Sequence, residues 1–223
     1  MTTAAAVLFC LALSYVLGSI PFGLLVARAN GVDIRSAGSG NIGATNVFRT
    51  IGKSAGLLTF CCDLAKGIAA ACLPLALTGR LSPDLLQFLR LTSGIVAVGG
   101  HNWPLFARFK GGKGVATGAG VLLSVAPLSV AAGLAAWGVI FIVFHIVSVA
   151  SIGAAAVTAA SAWPFYRHNG AWFPAVLAVL AAVIIWRHRS NIRRIIDGTE
   201  NRFEFGQRKR SSAKPGGKTA GKE

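Results

Sequence analysis

Residues 38–46 read GSGNIGATN and residues 109–114 read FKGGKG, and both runs combine glycine with groups that grip oxyanions. In the first, Gly38, Gly40 and Gly43 spell G-x-G-x-x-G. Closely spaced glycines let backbone N–H groups turn inward as an anion nest. Ser39, Asn41, Thr45 and Asn46 add hydroxyl and amide donors, and Arg49 adds a planar fork that fits phosphate. In the second run, Lys110 and Lys113 flank Gly111 and Gly112, and Gly114 follows. That is a doubly charged anion site at the start of a helix, where the N-terminal dipole adds to the attraction. The chemistry implied is phosphate binding. The plainer readings are a surface loop for the first run and ordinary membrane-flanking lysines for the second.

Neither run is a nucleotide signature. A dinucleotide turn needs a preceding strand and a βαβ unit, and no strand pattern surrounds residues 38–43. A Walker A motif ends G-K-[ST], whereas Lys113 is followed by Gly114. Gly52-Lys53-Ser54 has the right ending but carries Val47 where the first glycine belongs.

Other reactive types are sparse. Asp63 and Lys66 lie one turn apart inside an apolar stretch, so they are expected to pair and face the interior in a structural role. His101 sits beside the lysine loop and is expected to orient it. His188, close to Asn191, is the better candidate for substrate contact. His145 reads as a helix-end residue and His168 as an outer-loop residue. No carboxylate neighbours His101 in sequence and the serines are scattered, so no nucleophile–base pair is visible. Cys10, Cys61, Cys62 and Cys72 lie in apolar segments without metal-ligand spacing, which indicates helix packing; no metal and no cofactor are expected.

The elements that must position these groups follow from composition. Apolar residues make up 54% of the 223-residue chain and charged residues 13%, with only seven carboxylates against a net charge of +15. Long uncharged runs separated by basic loops describe an integral membrane protein. Nucleic-acid binding would explain the basic C-terminus but not those runs, so no nucleic-acid partner is expected. Residues 1–27 lack a basic leader and are followed by Arg28, which reads as an uncleaved first helix. Spans are expected at 4–27, 54–78, 85–103 and 172–187.

The loops 28–53 and 102–114 and the chain from Arg187 onward carry the cations, which places them together on the cytoplasmic side. The run Val115–Tyr166 must then cross an odd number of times. One crossing would make a helix of about 75 Å, so three short ones are expected, with breaks near Gly133–Gly138 and at His145–Ser148. Two crossings with a re-entrant piece is the competing arrangement. The expected fold is all-α, with about seven transmembrane helices, several short, an outer N-terminus and a cytoplasmic C-terminus. Residues 1–205 form the membrane domain, and 206–223 a basic, disordered tail drawn to anionic headgroups.

GSGNIGATN, DLAKG, GHNWPLFARFKGGKGVATG, VSVAS and RHRSNI with GTE resemble, in order, the motifs of the glycerol-3-phosphate acyltransferases of the PlsY family, from Gly18 to about Phe203. The resemblance implies a seven-helix bacterial inner-membrane enzyme, multi-pass, with its active site at the cytoplasmic face. It implies transfer of a fatty acyl group from acyl phosphate to the 1-hydroxyl of glycerol 3-phosphate, giving lysophosphatidic acid (1-acyl-glycerol 3-phosphate) and inorganic phosphate in phospholipid biosynthesis. The family is independent of acyl-CoA and lacks the H-x4-D motif of other glycerolipid acyltransferases, as does this chain. Besides its two substrates the partners are membrane lipids, and the working unit is expected to be a monomer.

Carried across, Ser39, Asn41 and their glycines stand where the family binds the acyl-phosphate headgroup. Arg49 and Lys113 match its phosphate-binding cations, with Lys110 as a helper. Ser148 and Ser151 match a serine pair, of which Ser151 is favoured as catalytic. His188, Asn191 and Glu200 match the motif that shapes the glycerol phosphate pocket, and Ser19-Ile20-Pro21-Phe22-Gly23 matches a helix kink. The rival class is a transporter or channel for a phosphorylated metabolite, which would place ionisable groups at the midplane and show a repeat between its halves. An acyl-CoA-using enzyme of the same fold is a third possibility.

Overall fold

The computed structural model describes residues 2–77 and 79–203. The expected tail at 206–223 lies outside the described residues. Among these, the chain folds into ten α-helices with no strand: α1 (Thr3–Ser19), α2 (Phe22–Ala29), α3 (Ala44–Thr50), α4 (Lys53–Cys72), α5 (Pro83–Asn102), α6 (Val115–Val125), α7 (Pro127–Phe144), α8 (Val147–Tyr166), α9 (Trp172–Arg187) and α10 (Arg189–Ile196).

Four stretches are long and apolar enough to cross a membrane: Thr3–Ala29, Lys53–Leu77, Pro127–Phe144 and Val147–Asn169. A fifth is added if α9 and α10, bent by 54°, count as one broken span. The kink expected at Ser19–Gly23 is real, because Pro21 separates α1 from α2. Three helices occupy residues 115–166, of which α7 and α8 are long enough to cross a membrane and α6 is a shorter apolar helix. One of their breaks is misplaced in the sequence reading. α7 runs unbroken through Gly133 and Gly138, and the chain breaks at Ala126–Pro127 instead. Proline has no N–H to extend the ladder of α6, yet suits the first turn of a new helix. Gly133 serves contact: a Cβ there would lie 2.0 Å from Thr158 Oγ1 on α8. The second break falls where expected, at His145, whose φ of 56° ends α7.

At 11 residues α6 is only about 16 Å long, so the α6–α7 break lies among apolar helices and its free backbone groups need partners. Arg90 of α5 donates to Ser124 O at 2.7 Å and to Ala71 O at 3.3 Å, closing the ends of α6 and α4. Tyr166 Oη accepts from Leu128 N at 3.0 Å, serving the first turn of α7.

The fold has two halves. In one, α1 packs on α5 and α4 on α6; in the other, α7, α8 and α9 pack side by side. The α4–α6 contact is backbone to backbone, since a Cβ at Gly67 would meet Thr117 O at 2.1 Å and one at Gly120 would meet Leu64 O at 2.1 Å. A core of Leu91, Val98, Val121, Val125, Phe173 and Leu177 joins the halves.

Candidate active site

A cavity of about 630 Å³ lies between the halves. It is two-faced. One end gathers Ser39, Asn41, Thr45, Arg49, Lys113, Gly114, Ser148, Ser151, His188, Asn191 and Glu200, residues from five separate stretches of chain. The remainder is an apolar slot walled by Leu122, Val130, Leu134, Trp137, Leu177 and Leu180. Along α8 the wall runs from Ser148 to Thr158, about 15 Å of helix.

Lys113 and Gly114 sit at the start of α6, and Gly114 takes the left-handed φ of 82° that turns the loop into the helix. The backbone N–H groups of Val115 and Ala116, which also line the cavity, open that helix, so the dipole and an ammonium act at one place. Burial lowers the Lys113 pKa to about 8. The attraction of Glu200 opposes this, while Arg194, Arg49 and Arg187 add to it.

The 38–46 loop works differently from the nest read in the sequence. The N–H groups of Ser39, Gly40 and Gly43 are spent inside the loop, on Asn46 Oδ1, Ala37 O and Asn41 Oδ1. Asn46 is 2% exposed and also donates to Ala37 O and Asn41 O, so its amide builds the loop instead of facing a ligand. Gly38 and Gly40 take φ of 58° and 69° behind the wall. The polar side chains that this stretch offers to the cavity include Ser39, Asn41 and Thr45, with Arg49 a turn beyond.

At the other side, α8 opens with Ser148 and Ser151, both buried. Ser148 Oγ donates to Glu200 Oε1 at 2.8 Å, and Asn191 Nδ2 donates to the same oxygen at 2.6 Å. Arg194 Nε pairs with Glu200 Oε2 at 2.6 Å. Burial raises the Glu200 pKa, but these three donors outweigh it and hold the carboxyl below its ordinary value. Ser151 Oγ accepts from Trp137 Nε1 at 3.3 Å. Asn191 Oδ1 is buried without a partner among the described residues. His188 Nδ1 stands 2.8 Å from Ile184 O. A carbonyl only accepts, so Nδ1 carries the proton and Nε2 is an acceptor. Burial first, and Lys113 next, lower the His188 pKa to about 4, so the ring is neutral at pH 7.

Of the remaining expected residues, His101 lines the cavity, whereas Lys110, Gly111 and Gly112 stand off its wall. Lys110 is exposed, with its carbonyl held by Arg35 at 3.2 Å. Gly111 and Gly112 form a strap whose carbonyls face Arg187. His101 corrects the sequence reading: a carboxylate does reach it, since Asp63 Oδ1 lies 3.5 Å from its Nδ1 and Thr117 Oγ1 lies 3.2 Å away. Asp63 also pairs with Lys66 at 2.9 Å, as expected. Sequence reasoning missed Arg194 and Arg187, which it counted as membrane-flanking charge. Their adjacency to His188, Asn191 and Glu200 was the available signal.

A family model described as Glycerol-3-phosphate acyltransferase matches residues 8–198. The chain is 44% identical over 194 residues to the glycerol-3-phosphate acyltransferase of Geotalea daltonii, covering 86% of this chain and 94% of that protein. It is 46% identical over 208 residues to that of a Roseiflexus species, covering 92% and 98%. Among solved structures, it is similar to the glycerol 3-phosphate form of PlsY (YgiH), an integral membrane glycerol 3-phosphate acyltransferase. That match has a TM-score of 0.80 and 40% identity, over 89% of this chain and 96% of that one. The lysophosphatidic acid form of PlsY matches with a TM-score of 0.78 and 39% identity, over 89% and 95%. Agreement over residues 8–198, with relatives more than 40% identical over most of both chains, has one meaning: this chain belongs to the glycerol-3-phosphate acyltransferase family.

Proposed function

We propose that this chain transfers a fatty acyl group from acyl phosphate to the 1-hydroxyl of glycerol 3-phosphate, giving lysophosphatidic acid and inorganic phosphate. The supporting observation is the two-faced cavity, whose cationic, donor-rich end runs into an apolar slot long enough for much of an acyl chain. The polar end faces the cytoplasm of a bacterial inner membrane, because the basic loops cluster there. The chain crosses seven times, with its N-terminus outside, and works as a monomer.

In this reading Ser39 and Asn41 hold the acyl-phosphate headgroup, with Arg49. Lys113, Gly114 and the opening turn of α6 hold the phosphate of glycerol 3-phosphate. His188 Nε2 and Asn191 Oδ1, which have no hydrogen-bond partner among the described residues, accept from its hydroxyls, and Glu200 fixes Asn191 and Ser148. Ser151, whose oxygen already accepts from Trp137, turns its own O–H toward the acyl carbonyl. The 1-hydroxyl oxygen attacks the carbonyl carbon, and the bond from that carbon to the phosphate oxygen breaks. Phosphate leaves with the electron pair and takes the hydroxyl proton. A histidine with a pKa near 4 orients the hydroxyl well but is a weak base, which suits a substrate oxygen as proton acceptor. Catalysis is then positioning plus stabilisation of developing negative charge by Lys113, Arg49 and Ser151.

Purified protein given labelled glycerol 3-phosphate should form lysophosphatidic acid with acyl phosphate and none with acyl-CoA. Product from acyl-CoA alone, or from neither donor, contradicts the proposal. The pH profile is a second check. Lys113 must be charged to grip phosphate, so its contribution is complete below about pH 8 and disappears as pH rises through that value. The substrate phosphate reaches its dianion above about pH 6. We expect kcat/KM, which reports the free enzyme, to rise near pH 6 and fall near pH 8. Lys113→Arg should remove the upper limb.

A further inference from the structure

Arg187, the last residue of α9, does not line the cavity, yet its side chain is committed to the loop that carries Lys113. Its Nε donates to Gly112 O at 3.2 Å, and its Nη2 reaches Gly112 O at 2.7 Å, Asn102 O at 3.3 Å and Gly111 O at 3.4 Å. The guanidinium lies over the Trp103 ring, 5.4 Å from its centroid, and the Trp103 carbonyl is itself held by Tyr15 Oη at 2.8 Å. From the other face the strap rests on His101: a Cβ at Gly112 would stand 2.1 Å from His101 Nε2. Gly111–Gly112 is therefore clamped between a guanidinium and an imidazole.

The clamp has a direction. In a trans peptide the carbonyl and the next N–H point opposite ways, and the described residues contain no cis bond. Pulling Gly112 O toward Arg187 turns the Lys113 N–H away from Arg187, and Lys113 and Gly114 are the loop residues that line the cavity. We propose that Arg187 is a positioning residue for glycerol 3-phosphate: from outside the cavity it sets the Gly111–Gly112 strap, and through it Lys113, in the phosphate-gripping arrangement. The inference rests on the function proposed above. A planar fork spanning three carbonyls is the feature that matters, and a lysine ammonium on the same stem cannot reproduce it.

The test measures affinity for glycerol 3-phosphate directly, by titration of full-length protein in detergent with no acyl donor present. Arg187→Ala should bind about 10–100-fold more weakly than wild type, with the Tm of the unliganded protein unchanged. Arg187→Lys should bind about tenfold more weakly. Millimolar guanidinium ion should recover part of the affinity of Arg187→Ala and do nothing for wild type. Equal affinity in all three proteins overturns the proposal, as does a weakening that guanidinium leaves untouched in a protein of normal Tm. If Arg187→Ala fails to fold, Arg187→Lys decides alone, and wild-type affinity in it overturns the proposal. A wild-type enzyme that binds glycerol 3-phosphate but transfers nothing from acyl phosphate refutes the donor reading and leaves this comparison standing.

Discussion

Lys113→Ala lowers kcat/KM by about 10²–10³ while leaving the fold intact. Lys113 is the cation placed at the start of α6, where the dipole of an 11-residue helix and its unsatisfied N–H groups already favour an anion. Burial that brings its pKa to about 8 also removes the water that would weaken its pull on phosphate. The side chain is part of the cavity wall and not of the helix contacts, so its loss should leave Tm close to wild type. Steady-state kinetics with both substrates varied, beside a melting curve, check this. Arginine at 113 should recover some of the rate at pH 9, where lysine is uncharged.

Much of this site could be read from residue types. The glycine-lysine run at 110–114 needs only its own composition to suggest an anion site, and a helix does begin at Val115. The 38–46 loop was legible as a site but not as a mechanism, because nothing local says that Asn46 Oδ1 captures the Ser39 N–H. The Asp63–His101 contact joins α4 to α5 across 38 positions of sequence and exists only once those helices pack. The α6–α7 break was misread because two glycines outweighed one proline. In a buried helix a glycine without Cβ is a contact surface, as Gly133 is for Thr158, whereas Pro127 removes a backbone donor wherever it stands. Arg187 and Arg194 were hidden by their own abundance, since a basic loop offers no local sign of which cation turns inward.

The second large effect is at Glu200. Its two oxygens take three donors, from α8 (Ser148), α10 (Asn191 and Arg194) and nowhere else among the described residues. Glu200→Ala strands a buried hydroxyl, a buried amide and a guanidinium at once. We expect a stability loss of about 3 kcal/mol and a fall in kcat/KM of about 10² or more, because Asn191 and Ser148 lose their orientation. The adjoining stretch shares the same anchorage, with Arg49 donating to Asn201 O at 3.3 Å and stacking over Phe203. Glu200→Gln keeps the shape but places one donor against donors, so it should recover less than half of the lost Tm. The carboxyl is held below its ordinary pKa, so its stabilising effect is complete above the unfolded value and is lost as pH falls through the folded one. An acid melt of wild type should therefore show a transition that Glu200→Gln lacks.

Both effects follow from one claim, that a single cavity holds the acyl donor and the acceptor together and lets one attack the other without an enzyme-bound acyl group. Rapid mixing of stoichiometric enzyme with acyl phosphate alone tests it most directly. The account predicts no burst of inorganic phosphate and no mass added to the protein until glycerol 3-phosphate is supplied, after which phosphate and lysophosphatidic acid appear together in equal amounts. One equivalent of phosphate released in the absence of acceptor, with the acyl mass found on Ser39 or Ser151, would contradict it.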